Sequence, residues 1–460
     1  MPTNIKPIAE VNAIADTDAI ADVMPSQVQP WPREPDRVGA ADSVDDALDD
    51  PAALANGQDD FPHAMIQAYV ASKTWVGAGR IVYFFCDIHA DADAFLLSML
   101  AAGGVAKTGD ADADFELTAE GRDALFIIGG DCFDKGPSNL RLLEMLHQLY
   151  LKGANLEILA GNHDIRTYLG IVFAESKAPL LDHLFARMGK KTVALLHELH
   201  RHNTDNLLPP AAASSAFSSD AIRALLFPAE QWYLGYPAAA GSWLQPAQLA
   251  KEVQRIQQKS LDFNAQIEAR DMDIEAVYGA LALFRALFCS PQGRYSWFFQ
   301  KMKLLHREGP YLFVHGGIDD TVAQTLADHG DEGVDTVNQQ FRQALLEDPF
   351  ALYYGPLGNV FRTKYRQTDF AFTPRGVQTL HQAGIYALVH GHRNILRGQR
   401  MTLRAGMLNF ECDASVDCNT RKAEGLAGPG GAVLKLLADG SLLGMSTDYP
   451  FVKHFQPTAS

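Results

Sequence analysis

The stretch ALFIIGGDCFDKGP (124–137) joins a five-residue apolar run to a glycine-bounded loop that carries two aspartates, Asp131 and Asp134. A short apolar run closed by turn residues reads as a buried strand, so both carboxylates lie at a strand's C-terminal end. The same texture occurs upstream in RIVYFFC (80–86), which leads into Cys86-Asp87-Ile88-His89, and downstream in NLEILAG (155–161), which leads into Asn162-His163-Asp164. Between the second and third runs, SNLRLLEMLHQLYLKG has apolar residues at helical spacing and ends at Gly153. Strands alternating with helices imply βαβ units and a largely parallel sheet.

Two more strand-like runs come late. GPYLFVHGG (309–317) presents His315, and GIYALVHGH (384–392) presents His390 and His392. The helix before the second is marked by Thr373 as N-cap, Pro374 at its first position and Gly384 past its end. Five strands in one sheet would deliver Asp87, His89, Asp131, Asp134, Asn162, His163, His315 and His392 to a single edge, where open α/β sheets build their sites.

The rest of the chain is organised around these runs. Residues 1–62 are acidic, rich in Ala, Asp and Pro and poor in large apolar residues, and read as a mostly disordered tail whose protein partner the sequence does not name. Residues 63–164 read as the first part of a core and 309–460 as the second. Residues 165–308 read as a helical insertion, divided by the linker LPPAAASSAFSS near 207–219. Its histidines, such as His183, His197, His200 and His202, read as surface or cap residues, and RYSWFFQKMKLLH (294–306) as its packing against the sheet.

Composition excludes several classes. No apolar run approaches the roughly 18 residues needed to cross a bilayer, so no membrane-spanning role is expected. A formal charge of −16 argues against general nucleic-acid binding, which relies on clustered Lys and Arg. Five cysteines without a C-x-x-C pair, and an N-terminus without a basic start and apolar core, point to a reducing, cytoplasmic setting.

Carboxylates, imidazoles and an amide, with no obligatory thiolate, suit a divalent ion such as Mn, Fe, Zn, Ni or Co. A carboxylate has two oxygens and can bridge two ions, and Asp131 is the candidate bridge.

The ordered motifs D-x-H (87–89), G-D-x-x-D (130–134), G-N-H-D (161–164), H-G-G (315–317) and G-H (391–392) resemble the calcineurin-like metallophosphoesterase superfamily. The nearest branch is that of the phosphoprotein phosphatases and diadenosine tetraphosphatases, and the resemblance covers about 80–170 and 308–440. It implies a layered β-sheet core flanked by helices, here an α/β fold with a large helical insertion. It implies two divalent ions, the first on Asp87, His89 and Asp131, the second on Asp131, Asn162, His315 and His392. His163 would be the general acid, oriented by Asp134, and a hydroxide bridging the ions would attack phosphorus. Lys135, Arg362 and Asn162 would hold the phosphate of the substrate, with Arg366 as the reserve for Arg362. His390 is left as a group behind the ligands.

The sequence departs from the branch at three places. Cys86 and Ala90 replace the glycines of G-D-x-H-G, and Lys135 stands where an arginine is usual, which keeps the charge but loses the two-pronged grip on phosphate. The expected activity is therefore that of a metal-dependent hydrolase of phosphomonoesters or phosphoanhydrides. Two alternatives stay open: a Ser/Thr phosphoprotein phosphatase, and a regulatory or scaffolding protein with weak catalysis. The length of the insertion favours a lidded pocket over an open groove.

Overall fold

The computed structural model describes residues 23–31, 63–205 and 217–457. Its core is two packed sheets. One has eight strands in the order β1-β15-β14-β13-β2-β5-β6-β7, and the other has five in the order β11-β12-β10-β9-β8, with β11 at Arg400–Arg404 and β12 at Met407–Glu411. Strands β2 (Val82–Phe85), β5 (Leu125–Ile128) and β6 (Asn155–Leu159) are parallel neighbours at the centre of the first sheet. β9 (Tyr311–Val314) and β10 (Ala387–His390) are parallel neighbours in the second.

The expectation of five strands in one sheet is thus corrected: three belong to one sheet and two to the other. The reason lies in how the runs are buried. Along β2 and β5, Val82, Phe84, Leu125 and Ile127 join one core cluster with Phe313 and Val389 of the second sheet. The alternate residues Tyr83, Phe85, Phe126 and Ile128 join the cluster that packs under the helices. Side chains alternate between faces with a period of two, so a strand buried on both faces is apolar throughout and does not reveal its sheet. Phe84 and Phe313 meet across the interface with ring centroids 5.5 Å apart.

Beyond β2 the first sheet turns antiparallel. β13 (Ala432–Leu436), β14 (Leu442–Ser446) and β15 (Val452–Phe455) extend the first sheet beyond β2. β1 (Val28–Pro30) adds a parallel strand outside β15, followed by the buried Trp31. Of the segment expected to be a disordered tail, residues 28–30 therefore pair on the sheet edge, and 1–22 and 32–62 fall outside the described residues.

Between Val172 and Met302 the described elements are helices, the longest being Pro246–Glu268. They end earlier than the expected 308, because β7 (Met302–Lys303) and β8 (Leu305–Glu308) are strands. The expected linker is outside the described residues up to 216. Phe133, in the loop after β5, packs against Phe284, Phe288, Phe298 and Phe299, so the aromatic run fastens the helical segment directly onto the Asp131 loop. Glu198 of the helix Val193–Asp205 makes a second tie, accepting from Oγ of Ser138, from the backbone and side-chain nitrogens of Asn139 and from the backbone of Leu140. A carboxylate there satisfies otherwise orphaned N–H groups at the start of the helix Asn139–Leu151.

Candidate metal centre

The C-terminal ends of β2, β5, β6, β9 and β10 converge on the Asp131 carboxylate. Its Oδ1 is 3.4 Å from Nε2 of His315, and its Oδ2 is 3.8 Å from Nε2 of His89 and 3.9 Å from Nε2 of His163. Asp87 Oδ1 is 3.9 Å from the same His89 nitrogen, and Asn162 Oδ1 is 3.2 Å from Nε2 of His315. The rings of His315 and His392 are 5.1 Å apart. Two groups of donors result, His89-Asp131-His163 and Asp131-His315-His392, each with its atoms within 4.8 Å of one another and both containing Asp131.

This donor set suits a divalent metal ion. The Nδ1 atom of His89 lies 3.1 Å from the carbonyl of Phe133, and that of His315 2.8 Å from the carbonyl of Gly129. Each ring donates there and keeps the Nε2 lone pair for a cation. In His392 the roles are reversed: Nε2 is 3.0 Å from the Arg362 carbonyl, leaving Nδ1 as the ligand atom. Asp87 Oδ2 accepts the His392 backbone N–H at 3.0 Å, which ties the two sheets together at the site.

The charges follow from this crowding. Burial raises the Asp131 carboxyl, but His315 and His163 outweigh it and hold Asp131 well below the usual range. Burial lowers His315, yet Asp131 and Asp87 push it up to about 10. Burial raises Asp87, and repulsion from Asp131 adds to this. Burial and the neighbouring Lys135 ammonium lower His89.

His163 sits beside this cluster. Its Nδ1 is 2.9 Å from Oδ2 of the fully buried Asp134, so Nε2 faces Asp131. Nη2 of Arg166 is 2.9 Å from the same Asp134 oxygen. Burial, then the Arg166 charge, lower His163 to about 4 against the pull of Asp131 and Asp134.

Two residues of this site escape sequence reasoning. Arg166 follows His163 by three positions on the helix Asn162–Val172, a spacing that puts both on one face and was the available signal. Asp164, fully buried, accepts the backbone N–H groups of Asp131 and Gly161 on Oδ2 and those of Cys132 and Phe133 on Oδ1. It fixes the loop that carries Asp131. Burial and repulsion from Asp131 raise its carboxyl to about 7, opposed by those backbone donors.

Other expected residues are placed differently. Lys135 does not project freely toward a substrate; its Nζ is 2.7 Å from Nε2 of His89. The Arg362 guanidinium lies over Tyr353 at 4.8 Å, while its backbone carbonyl is 3.0 Å from Nε2 of His392. His390 is not brought to the cluster: it is buried, with Nε2 3.2 Å from Oδ1 of Asn409. His183 does sit at a helix N-cap but is fully buried rather than on the surface, because its ring stacks on Trp232 and its Nε2 meets the Tyr354 hydroxyl at 3.1 Å.

The mixed α/β scaffold thus presents two overlapping carboxylate–imidazole triads that share Asp131. Residues 82–232 match the model of the calcineurin-like phosphoesterase family. The matched segment includes the motifs after β2, β5 and β6 and stops before His315 and His392. No curated protein matches the chain. Among solved structures, the cold-active protein-tyrosine phosphatase of a psychrophilic Shewanella species is 14% identical, with 82% of this chain and 80% of that one covered at a TM-score of 0.42. A protein serine/threonine phosphatase from Saccharomyces cerevisiae is 12% identical, with 85% and 88% covered at a TM-score of 0.35. No helix among the described residues is long and apolar enough to cross a membrane.

Proposed function

We propose that the chain is a two-metal phosphoesterase that hydrolyses phosphomonoester or phosphoanhydride bonds. The observation that carries this reading is the Asp131 carboxylate standing within 3.4–3.9 Å of three imidazoles, with a His163–Asp134 pair next to it. Asp87, His89 and Asp131 would hold one ion, and Asp131, Asn162, His315 and His392 the other. Bound there, a divalent pair supplies the activated water and the positive charge that phosphoryl transfer requires.

The chain's own groups do the rest. Nδ1 of His163 is engaged by Asp134 and by Nη2 of Arg166, each at 2.9 Å, so Nε2 is the atom left to exchange a proton with the departing oxygen. The low affinity of His163 for that proton is an advantage with substrate in place: the negative charge of a bound phosphate ester raises it, so the imidazolium forms when a leaving group is there to receive the proton. Arg166 keeps Asp134 ionised by direct contact. Arg362, stacked on Tyr353, would hold a phosphate oxygen with its guanidinium, and Asn162, beside His315, would assist at the centre.

The test is hydrolysis of p-nitrophenyl phosphate by the manganese-loaded full chain. Turnover is expected to stop on chelation and return with manganese, and to fall at least ~100-fold in Asp131→Asn and His163→Gln. Turnover unaffected by chelation, or equal in both variants and the parent protein, refutes the reading.

A further inference from the structure

The position of Lys135 conflicts with simple ion binding at His89. The Nδ1 side of the His89 ring faces the Phe133 carbonyl, which leaves Nε2 as the single lone pair, and the Lys135 Nζ lies 2.7 Å from it. One lone pair accepts either an ammonium hydrogen or a metal ion. This inference rests on the proposed function. We propose that Lys135 is a tethered cation that competes with the first divalent ion for Nε2 of His89, and that Asp413 and Asp417 set the balance by drawing the ammonium away.

Three features support this arrangement. Lys135 is held close by the backbone: it follows Asp134 in left-handed conformation (φ 62°), and its carbonyl accepts from Nδ2 of Asn419 at 2.6 Å. The loop edge is thereby pinned to the segment after β12 (Met407–Glu411), which carries Asp413 and Asp417. Both carboxylates are buried, and their charges act on Lys135 more strongly than those of Asp131 and Asp87. Asp417 has an acceptor to spare. Its Oδ1 caps the helix Cys418–Glu424 at Thr420, whereas Oδ2 is buried without a hydrogen-bond partner. A buried carboxylate oxygen with no donor is costly, and an ammonium swung toward it would satisfy it.

The charge count allows both cations at once. Asp87, Asp131, Asp413 and Asp417 all act on the one Lys135 ammonium, so an arriving divalent ion can take His89, Asp87 and Asp131 while Lys135 shifts toward Asp417 and Asp413. The two halves of the centre then differ in affinity, the Asp131-Asn162-His315-His392 half filling first. When a competing state is populated nine-tenths of the time, apparent affinity falls about tenfold.

Manganese titration calorimetry, with metal analysis of the same samples, tests this on the full chain. Wild type is expected to bind two ions in separable phases. Lys135→Met and Lys135→Gln should tighten the weaker phase about tenfold or more, leaving the tighter phase in place. Asp417→Asn should loosen the weaker phase in wild type and change it little in the Lys135→Met background, as a double-mutant cycle requires if Asp417 acts through Lys135. Two ions bound with an unchanged or weakened second phase in both Lys135 variants overturns the inference and leaves the proposed function standing. A wild type that binds no manganese overturns the proposed function, and this inference with it.

Discussion

Replacing Asp164 with asparagine isolates the carboxylate that holds the Asp131 loop. Each of its oxygens accepts two backbone N–H groups: Oδ2 those of Asp131 at 2.8 Å and Gly161 at 3.2 Å, Oδ1 those of Cys132 at 2.8 Å and Phe133 at 3.2 Å. Asparagine keeps the shape and one oxygen. Whichever way its amide turns, the NH2 group faces two donors, and two buried N–H groups lose their acceptor. Each such group costs about 1–3 kcal/mol, so the expected loss is about 2–6 kcal/mol. That is a large share of the ~5–15 kcal/mol by which domains are stable. Urea denaturation of the metal-free chain, followed by circular dichroism, measures it. Glu116→Gln serves as the control, since Glu116 is exposed and its ion pair with Lys152 spans 3.3 Å at the surface. That change should stay within about 0.5 kcal/mol. A loss below about 1 kcal/mol for Asp164→Asn would show that the four donors find other partners. The assignment of Asp164 as the anchor of the loop would then be wrong.

Arg166→Gln removes a positive charge that depresses His163, so the His163 titration, read from its imidazole proton resonance in the metal-free chain, should move upward from about 4; an unmoved titration refutes the coupling. Glu198→Ala leaves the start of the helix Asn139–Leu151 without its carboxylate and should cost about 1–3 kcal/mol in the same denaturation assay, with a cost near zero separating the helical segment from the support of the core. Burial raises the Glu411 carboxyl, but Arg393 and Arg400 outweigh it and bring it from 4.5 down to about 2. Its contribution to stability is therefore full above pH 4.5 and lost as pH falls toward 2. Glu411→Gln should flatten the pH dependence of the urea midpoint in that window, and an unchanged slope would refute this role.

The sequence reveals the rim of the site well and its support poorly, for a physical reason. Candidate ligands at strand ends stand next to the apolar runs that make the strands, so Asp87, Asp131 and Asn162 can be located from local texture. Support depends on partners far away in the chain. Asp164 reaches back to the 131–133 backbone, Glu198 to residues 138–140, and Asp87 takes its hydrogen bond from His392. No periodicity records such pairings. The sheet assignment failed for a related reason: residues buried on both sides look alike whichever neighbour they pair with. Lys135 illustrates the same limit. Its charge is legible, but its direction is set by His89, Asp413 and Asp417, which arrive from two other strand ends.

The departures Cys86 and Ala90 acquire meaning from the backbone. Asp87, His89, Ala90, Asp131, Asp134, Lys135 and His392 all take left-handed conformations, with φ between 47° and 69°. For residues with a Cβ that conformation costs roughly 1–2 kcal/mol each, and Ala90 has no side-chain polar group to offset it. What offsets it is lacing between the two turns. The N–H groups of Asp87, His89 and Ala90 donate to the carbonyls of Gly130, Asp131 and Cys132 at 3.1, 2.9 and 2.8 Å, so the turn after β2 is bonded residue by residue to the turn after β5. Glycine is retained where close approach leaves no alternative. A Cβ at Gly391 would lie 1.9 Å from Asp87 Oδ2, and one at Gly161 2.0 Å from the Asp131 backbone nitrogen. Strain gathered in the ligand-bearing turns, and held there by bonds between those turns, keeps the donors aimed at one another whether or not an ion is bound. On the proposed reading, groups such as Lys135 that compete for the donors then weigh more in ion affinity than the cost of assembling those donors.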